Sequence, residues 1–195
     1  MLVRNHYGHG ALNAIKTGLE RATGNCVLVS MADLPDDVRI VDEMVARAQG
    51  GAAVVCGSRY MKGGKQVGGP LLKRTLSRFA GVSLHALTTL PTHDVTNSFK
   101  LYRKDMLEHM IITSSGGFEL GMEITVKAFL QGYKIEEIPC TWHDRSAGNS
   151  RFHLWQWLPH YLKWYVVALR KNRLYEALQV WLKKIKRFIA PLPRA

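Results

Sequence analysis

Between residues 11 and 22 the apolar side chains Leu12, Ile15 and Leu19 recur at a helical spacing, and Gly24-Asn25 follows as a stop signal. The apolar positions then become contiguous over 26–29, which predicts a short buried strand. A helical period returns over 37–48 with Ile40, Val41, Met44 and Val45; Gly50-Gly51 closes it, and 52–56 is a second apolar strand. Helix, strand, helix, strand in this order predicts an α/β domain, with a mostly parallel sheet and flanking crossover helices. Residues 57–70 have no period and are rich in Gly and Lys, which predicts a loop that orders on binding. Helical character resumes over 71–90, 94–102 reads as extended, 120–131 as a helix, and 134–142 alternates like a strand.

Composition adds scale and partners. With 195 residues and 47% hydrophobic content the chain is long enough for one well-buried domain. Its 27 Lys and Arg against 15 Asp and Glu give +12, which points to anionic partners: nucleic acid, a lipid surface or phosphorylated substrates. Cys26, Cys56 and Cys140 lie far apart, two of them in apolar runs, so they read as buried thiols of a reducing compartment rather than a disulfide framework or zinc site. His85, His93, His109 and His143 show no metal-ligand spacing. No apolar core of signal-peptide length opens the chain, and 154–169, interrupted by Pro159, His160 and Lys163, is shorter than the roughly 20 residues that span a bilayer.

The end of the chain carries its own pattern. Leu174, Leu178, Trp181, Ile185, Phe188 and Ile189 share one helical face, and Lys183, Lys184, Lys186 and Arg187 the other. Such a basic amphipathic helix lies in an anionic membrane interface, and Trp155, Trp157, Tyr161, Trp164 and Tyr165 ahead of it are residue types of the membrane boundary. Docking onto the rest of the domain is the alternative for this region. The expected division is 1–152 as a catalytic domain and 153–195 as C-terminal amphipathic helices at the membrane interface.

Several separated motifs stand in one order. They are Gly8-His-Gly-Ala with Gly18 and Gly24, Ala32-Asp33-Leu34, Gly57-Ser-Arg-Tyr60 with Gly63-Gly64, Asp94-Val-Thr-Asn-Ser-Phe99, Phe118-Glu119 with Glu123, and Arg145-Ser-Ala-Gly-Asn-Ser150. This order resembles the inverting nucleotide-sugar glycosyltransferases of family 2, of the dolichyl-phosphate mannosyltransferase type. The resemblance implies a glycosyltransferase A-type, Rossmann-like fold and transfer of a sugar, with inversion, from GDP-mannose or a UDP-hexose to a polyprenyl phosphate. It also implies Mg2+ or Mn2+ as cofactor.

Two departures qualify it. Where the family has an Asp-x-Asp metal triplet, Met31 replaces the first carboxylate, and a thioether does not suit a hard ion; Pro35 also stands where a polar residue often follows. The family begins with a strand, helix and strand for the nucleotide base and ribose. This chain is expected to start after them, lacking the first strands, a gap of roughly 30 residues or more.

By spacing alone Asp33 and Asp36 read as caps of a helix starting near Pro35. The resemblance instead makes Asp33 the metal ligand and leaves Asp36 the cap. It places the acceptor phosphate near Arg59, Arg74 and Ser77, with Lys73 a weaker choice. Asp94 is expected either to orient sugar hydroxyls or to hold a backbone turn. Glu119 is the better site residue and Glu123 the structural one. Arg145, Ser150 and Arg151 belong to a loop that closes over the pyrophosphate, or to a plain exposed turn. The expected catalytic set is therefore Asp33, Arg59, Asp94 and Glu119, in a protein peripheral to the cytoplasmic face of a membrane. A hydroxyl acceptor such as a growing polysaccharide would need Asp94 or Glu119 as a base. An inactive truncated remnant is a further rival. Nucleic acid is not an expected partner, because charge is the sole feature that suggests it.

Overall fold

The structure, a computed structural model, describes residues 3–144 and 154–170. Helix α1 (Ala11–Arg21) buries Leu12 and Leu19 and leads into β1 (Cys26–Val29). A single 3-10 turn (Val38–Ile40) precedes α2 (Val41–Gln49), whose buried face is Met44 and Ala48. Then come β2 (Val54–Ser58), β3 (Lys65–Val67) and the long α3 (Leu71–Thr88). After an irregular stretch follow β4 (Lys100–Arg103), the short α4 (Lys104–Glu108), α5 (Leu120–Leu130), β5 (Ile135–Pro139), β6 (Thr141–His143) and α6 (Leu154–Leu169).

Among the described residues the main sheet has the order β1-β4-β2-β5. β2 and β5 are parallel, and β4 runs antiparallel to both β1 and β2, so β1, β2 and β5 all point the same way. The expected mostly parallel α/β sheet is present, with one reversed strand inserted at its centre. Adjacent residues serve opposite faces of this sheet: Val54 and Tyr102 join a cluster with Leu12, Leu120, Ile124 and Trp164, whereas Val55 and Leu101 join Met44, Ala48 and Ile138. Helices therefore cover both faces. α5 is apolar nearly all round because it lies inside, with Leu120 through Val126 buried. α6 packs Trp164 and Ala168 into the same cluster as β2 and α5. Burial pushes the Cys56 thiol up to about 11 and the Cys140 thiol up to about 12, as expected of packed cysteines.

Three expectations need correction. Residues 57–70 are not a loop awaiting a ligand: β2 runs on to Ser58, and β3 pairs in parallel with β6. Within 94–102 the strand begins only at Lys100, because Asp94 to Asn97 is tied into a turn by side-chain bonds. The helix after β1 starts at Val38 rather than near Pro35, and its cap is Asp37, which accepts from Arg39 N at 3.1 Å, not Asp36. No described helix is long and apolar enough to cross a membrane.

Candidate active site

The strand register gathers the motifs at one edge of the sheet. Lys100, the first residue of β4, pairs with Val29 at the carboxyl end of β1 and with Cys56 near that of β2, while Ser58 pairs with Pro139 at the end of β5. The segments that follow β1, β2 and β5, and the segment that precedes β4, are thus brought together. Open α/β sheets place ligands at this carboxyl edge.

Arg59 and Asp94 form the centre. Arg59 Nε donates to Asp94 Oδ2 at 2.6 Å and Nη2 to Oδ1 at 2.9 Å, a two-pronged pair with Arg59 only 10% exposed and Asp94 fully enclosed. Asp94 Oδ2 also accepts from the Arg59 backbone N–H at 3.1 Å, and Oδ1 from Thr96 Oγ1 and Asn97 N at 3.2 Å each. Burial works against the Arg59 charge, but the carboxylate more than offsets it and holds the guanidinium above its ordinary value. Of the two roles open to Asp94, its contacts are those of a residue that holds a turn and aims an arginine. The guanidinium also lies over the Tyr60 ring, 4.9 Å from its centroid.

Tyr60 carries the link onward to α3. Its hydroxyl meets Ser77 Oγ and donates to Gln66 at 2.9 Å, and Ser77 in turn donates to the Arg74 carbonyl at 3.1 Å. Ser77 and Arg74 therefore stand next to the Arg59 pair. α3 reaches the site because Gly81 lets it close on the backbone of His93; a Cβ there would sit 2.1 Å from the His93 carbonyl oxygen.

Beyond β1 the chain makes a tight turn, Leu34 N donating to Met31 O at 3.1 Å, with Leu34 in the left-handed region at φ 51. Asp33 is exposed on this turn. Asp36 goes inward instead, held by a bridge to Trp142 and by Asp37 N donating to Thr141 O. It is 6% exposed, and its Oδ1 has no hydrogen-bond partner among the described residues. Burial raises its carboxyl to about 6; Arg59 and Asn97 pull it down, while Asp94 and Asp33 push it up. Asn97 ties this acidic turn to β2, since its Nδ2 also donates to the Gly57 carbonyl at 2.9 Å.

Glu119 is buried with both oxygens on backbone N–H groups, those of Gly116 at 2.7 Å and Gly117. It faces α6, where burial raises the Tyr161 hydroxyl and both Glu119 and Arg59 act on it electrostatically. Glu123 is structural as expected, accepting from Thr113 N, Ser114 N and Lys127 Nζ. Arg145, Ser150 and Arg151 lie outside the described residues.

The sequence reading missed two residues. Lys100 is completely buried, with Nζ donating to the Val95 carbonyl at 3.0 Å and to that of Asn97. Burial pushes its ammonium below the ordinary value, and it props up the Asp94 to Asn97 turn from beneath. Asp36 is the other. A charged residue inside an apolar strand was the signal for Lys100; nothing local marked Asp36 as inward.

Residues 2–111 match the glycosyl transferase family 2 domain, more than half of the chain. The chain belongs to glycosyl transferase family 2. Its α/β sheet fits the glycosyltransferase A type. Among curated relatives in this glycosyltransferase family it is 27% identical over 173 residues to a dolichol-phosphate mannosyltransferase of Pyrococcus furiosus, covering 84% of this chain and 48% of that protein. It is 29% identical over 147 residues to a polyprenol monophosphomannose synthase of Mycolicibacterium smegmatis, covering 74% of this chain and 55% of that protein. The chain spans about half the length of the curated relatives it matches.

Proposed function

We propose that this glycosyltransferase chain takes part in moving a hexose from a nucleotide sugar, GDP-mannose or a UDP-hexose, to a polyprenyl phosphate with inversion, at the cytoplasmic face of a membrane. The relatives' names support the mannose and the polyprenyl acceptor. The observation that carries the choice of acceptor is that the two oxygens of Asp94 already accept five hydrogen bonds, from Arg59 Nε, Nη2 and backbone N and from Thr96 and Asn97. A hydroxyl acceptor needs a carboxylate base with a lone pair to spend. A phosphate monoester, with a second pKa near about 6, arrives already ionised and needs none.

In this reading the protein's task is positioning. The Arg59 guanidinium, oriented by Asp94, attracts the acceptor phosphate together with Arg74 and Ser77 on α3, setting it in line with the anomeric carbon. Glu119 holds the 116–117 backbone. Asp33 would hold Mg2+ or Mn2+. The fit is narrow: Met31 is unsuited, no cluster of three or more metal-ligating side chains occurs among the described residues, and diphosphate oxygens would complete the shell. When bound, the ion would offset charge developing on the departing diphosphate.

The test is transfer of labelled sugar from GDP-mannose or UDP-glucose to undecaprenyl phosphate by the complete protein. Activity that needs the monoester, and fails with a polyprenyl alcohol, supports the reading. A second reading rests on Asp36 Oδ1, which has no hydrogen-bond partner among the described residues and offers a base for a hydroxyl acceptor. Under it Asp36→Asn abolishes turnover, whereas a phosphate acceptor leaves turnover standing.

A further inference from the structure

Glu137 lies on β5 opposite Cys56 of β2, with its side chain only 12% exposed, and among the described residues no Lys or Arg pairs with it. A carboxylate so enclosed is costly unless its oxygens are well used. Both go to one residue: the His93 N–H donates to Oε2 at 2.7 Å, and His93 Nδ1 lies 2.5 Å from Oε1. Because a carboxylate only accepts, the imidazole carries a hydrogen on Nδ1. The His93 peptide is gripped from the other side as well, since its carbonyl presses on α3 at Gly81, where a Cβ would stand 2.1 Å from the oxygen. The ring is fixed too. It stacks on His85 with centroids 3.9 Å apart, and His85 Nδ1 donates to the Leu90 carbonyl at 2.7 Å.

The next residue is Asp94, whose N–H is met by Thr92 Oγ1 at 3.1 Å. Two-pronged bonding to a guanidinium is geometrically exacting, so whatever fixes the backbone at 93 and 94 also sets where Arg59 reaches. We propose that Glu137 is a positioning residue: with His93 it forms a clamp through which β5 sets the aim of Asp94 and hence of Arg59. This deepens the reading of Arg59 as a phosphate-holding group, on which it rests for the identity of the anion though not for the clamp itself.

The chemistry of the two donors gives Glu137 a signature. Gln has a single acceptor and fits here in one way: its oxygen takes the His93 N–H, and its amide donates to His93 Nδ1 after the imidazole has moved its hydrogen to Nε2. Protonating the imidazole removes that option, because an imidazolium has no acceptor. With Glu the same proton adds a charge-assisted bond and leaves the clamp closed. The other titratable groups set against the clamp are His85 from α3, the Cys56 thiol from β2 and Asp94, whose charge Arg59 takes up. The thiol, raised to about 11, stays neutral, and α3 brings no Asp or Glu.

The test uses the complete protein with isotope-labelled arginine. The Arg59 Nε–H resonance, assigned by its loss in Arg59→Lys, reports the bond to Asp94 without any ligand, and calorimetry gives the affinities for a short, water-soluble polyprenyl phosphate and for GDP-mannose. Glu137→Ala is expected to shift or broaden that resonance and to weaken the polyprenyl phosphate about tenfold or more, with GDP-mannose close to the parent. Glu137→Gln should match the parent at about pH 8 and fall to the Ala level at about pH 5.5, each compared with the parent at the same pH, and adding His93→Phe should abolish that dependence. The Gln variant carries the test within one folded protein even where Glu137→Ala does not fold. An unmoved Arg59 resonance in Glu137→Ala, equal losses for both ligands, or a pH dependence that survives His93→Phe overturns the proposal. A parent that binds no polyprenyl phosphate, while the resonance still moves in Glu137→Ala, would sink the acceptor reading and leave the clamp standing.

Discussion

Asp94 Oδ2 lies 2.6 Å from Arg59 Nε and Oδ1 2.9 Å from Nη2, although the two residues are 35 positions apart in the chain. Both are shielded from solvent, so removing one leaves the other charged and unpaired. Asp94→Ala is expected to cost about 3–5 kcal/mol in urea unfolding. The double variant Arg59→Ala with Asp94→Ala should lose less than the sum of the single losses, because it buries no orphan charge. Additive losses would show that the pair is not coupled.

Asp36 sets a pH dependence. Its carboxyl titrates at about 6 in the folded protein against an ordinary 3.8, so the native state holds a proton that the unfolded chain has already released. Stability from this group is full below about pH 4, falls as pH rises from about 4 to 6, and stays low above. The difference amounts to at most about 3 kcal/mol. In buffer without divalent ions, Asp36→Asn should raise stability at pH 7 by about 1–3 kcal/mol and flatten that slope. Urea melts at a series of pH values measure both.

Asp33 is exposed on its turn, so Asp33→Ala should change stability by no more than about 0.5 kcal/mol. Manganese-dependent binding of the nucleotide sugar, followed by calorimetry, should disappear in the same variant. Retained binding would remove the metal role from Asp33.

Gly81 is where α3 touches the backbone ahead of Asp94, and a Cβ would lie 2.1 Å from His93 O and 2.8 Å from its carbonyl carbon. Gly81→Ala should cost about 1–3 kcal/mol by forcing the helix outward. Hydrogen exchange should quicken at Asn97 N, whose acceptor is Asp94.

Much of the fold is readable locally. The spacing of Leu12 and Leu19 in α1 and of Met44 in α2 reports which side of each helix meets the core, and the unbroken run at Cys26 to Val29 marks a strand, although Val27 alone of the four is buried rather than the whole strand as expected. β3 escapes this reading because Lys65, Gln66 and Val67 have little apolar content; its partner, Thr141 to His143, makes it a strand. The capping role slipped one residue, from Asp36 to Asp37, because two adjacent carboxylates look alike until Trp142 and Thr141 fix which one turns inward.

The sequence by itself determined the succession of helices and strands, the family motifs and the basic balance of the chain, because these depend on neighbours a few residues apart and on residue type. Tertiary structure alone decided that β4 enters reversed between β1 and β2, that Lys100 is buried beneath the Asp94 turn, and that Asp94 grips Arg59. Strand order and the enclosure of a charge depend on which distant segments close over one another, and a local period of apolar positions carries no record of that choice.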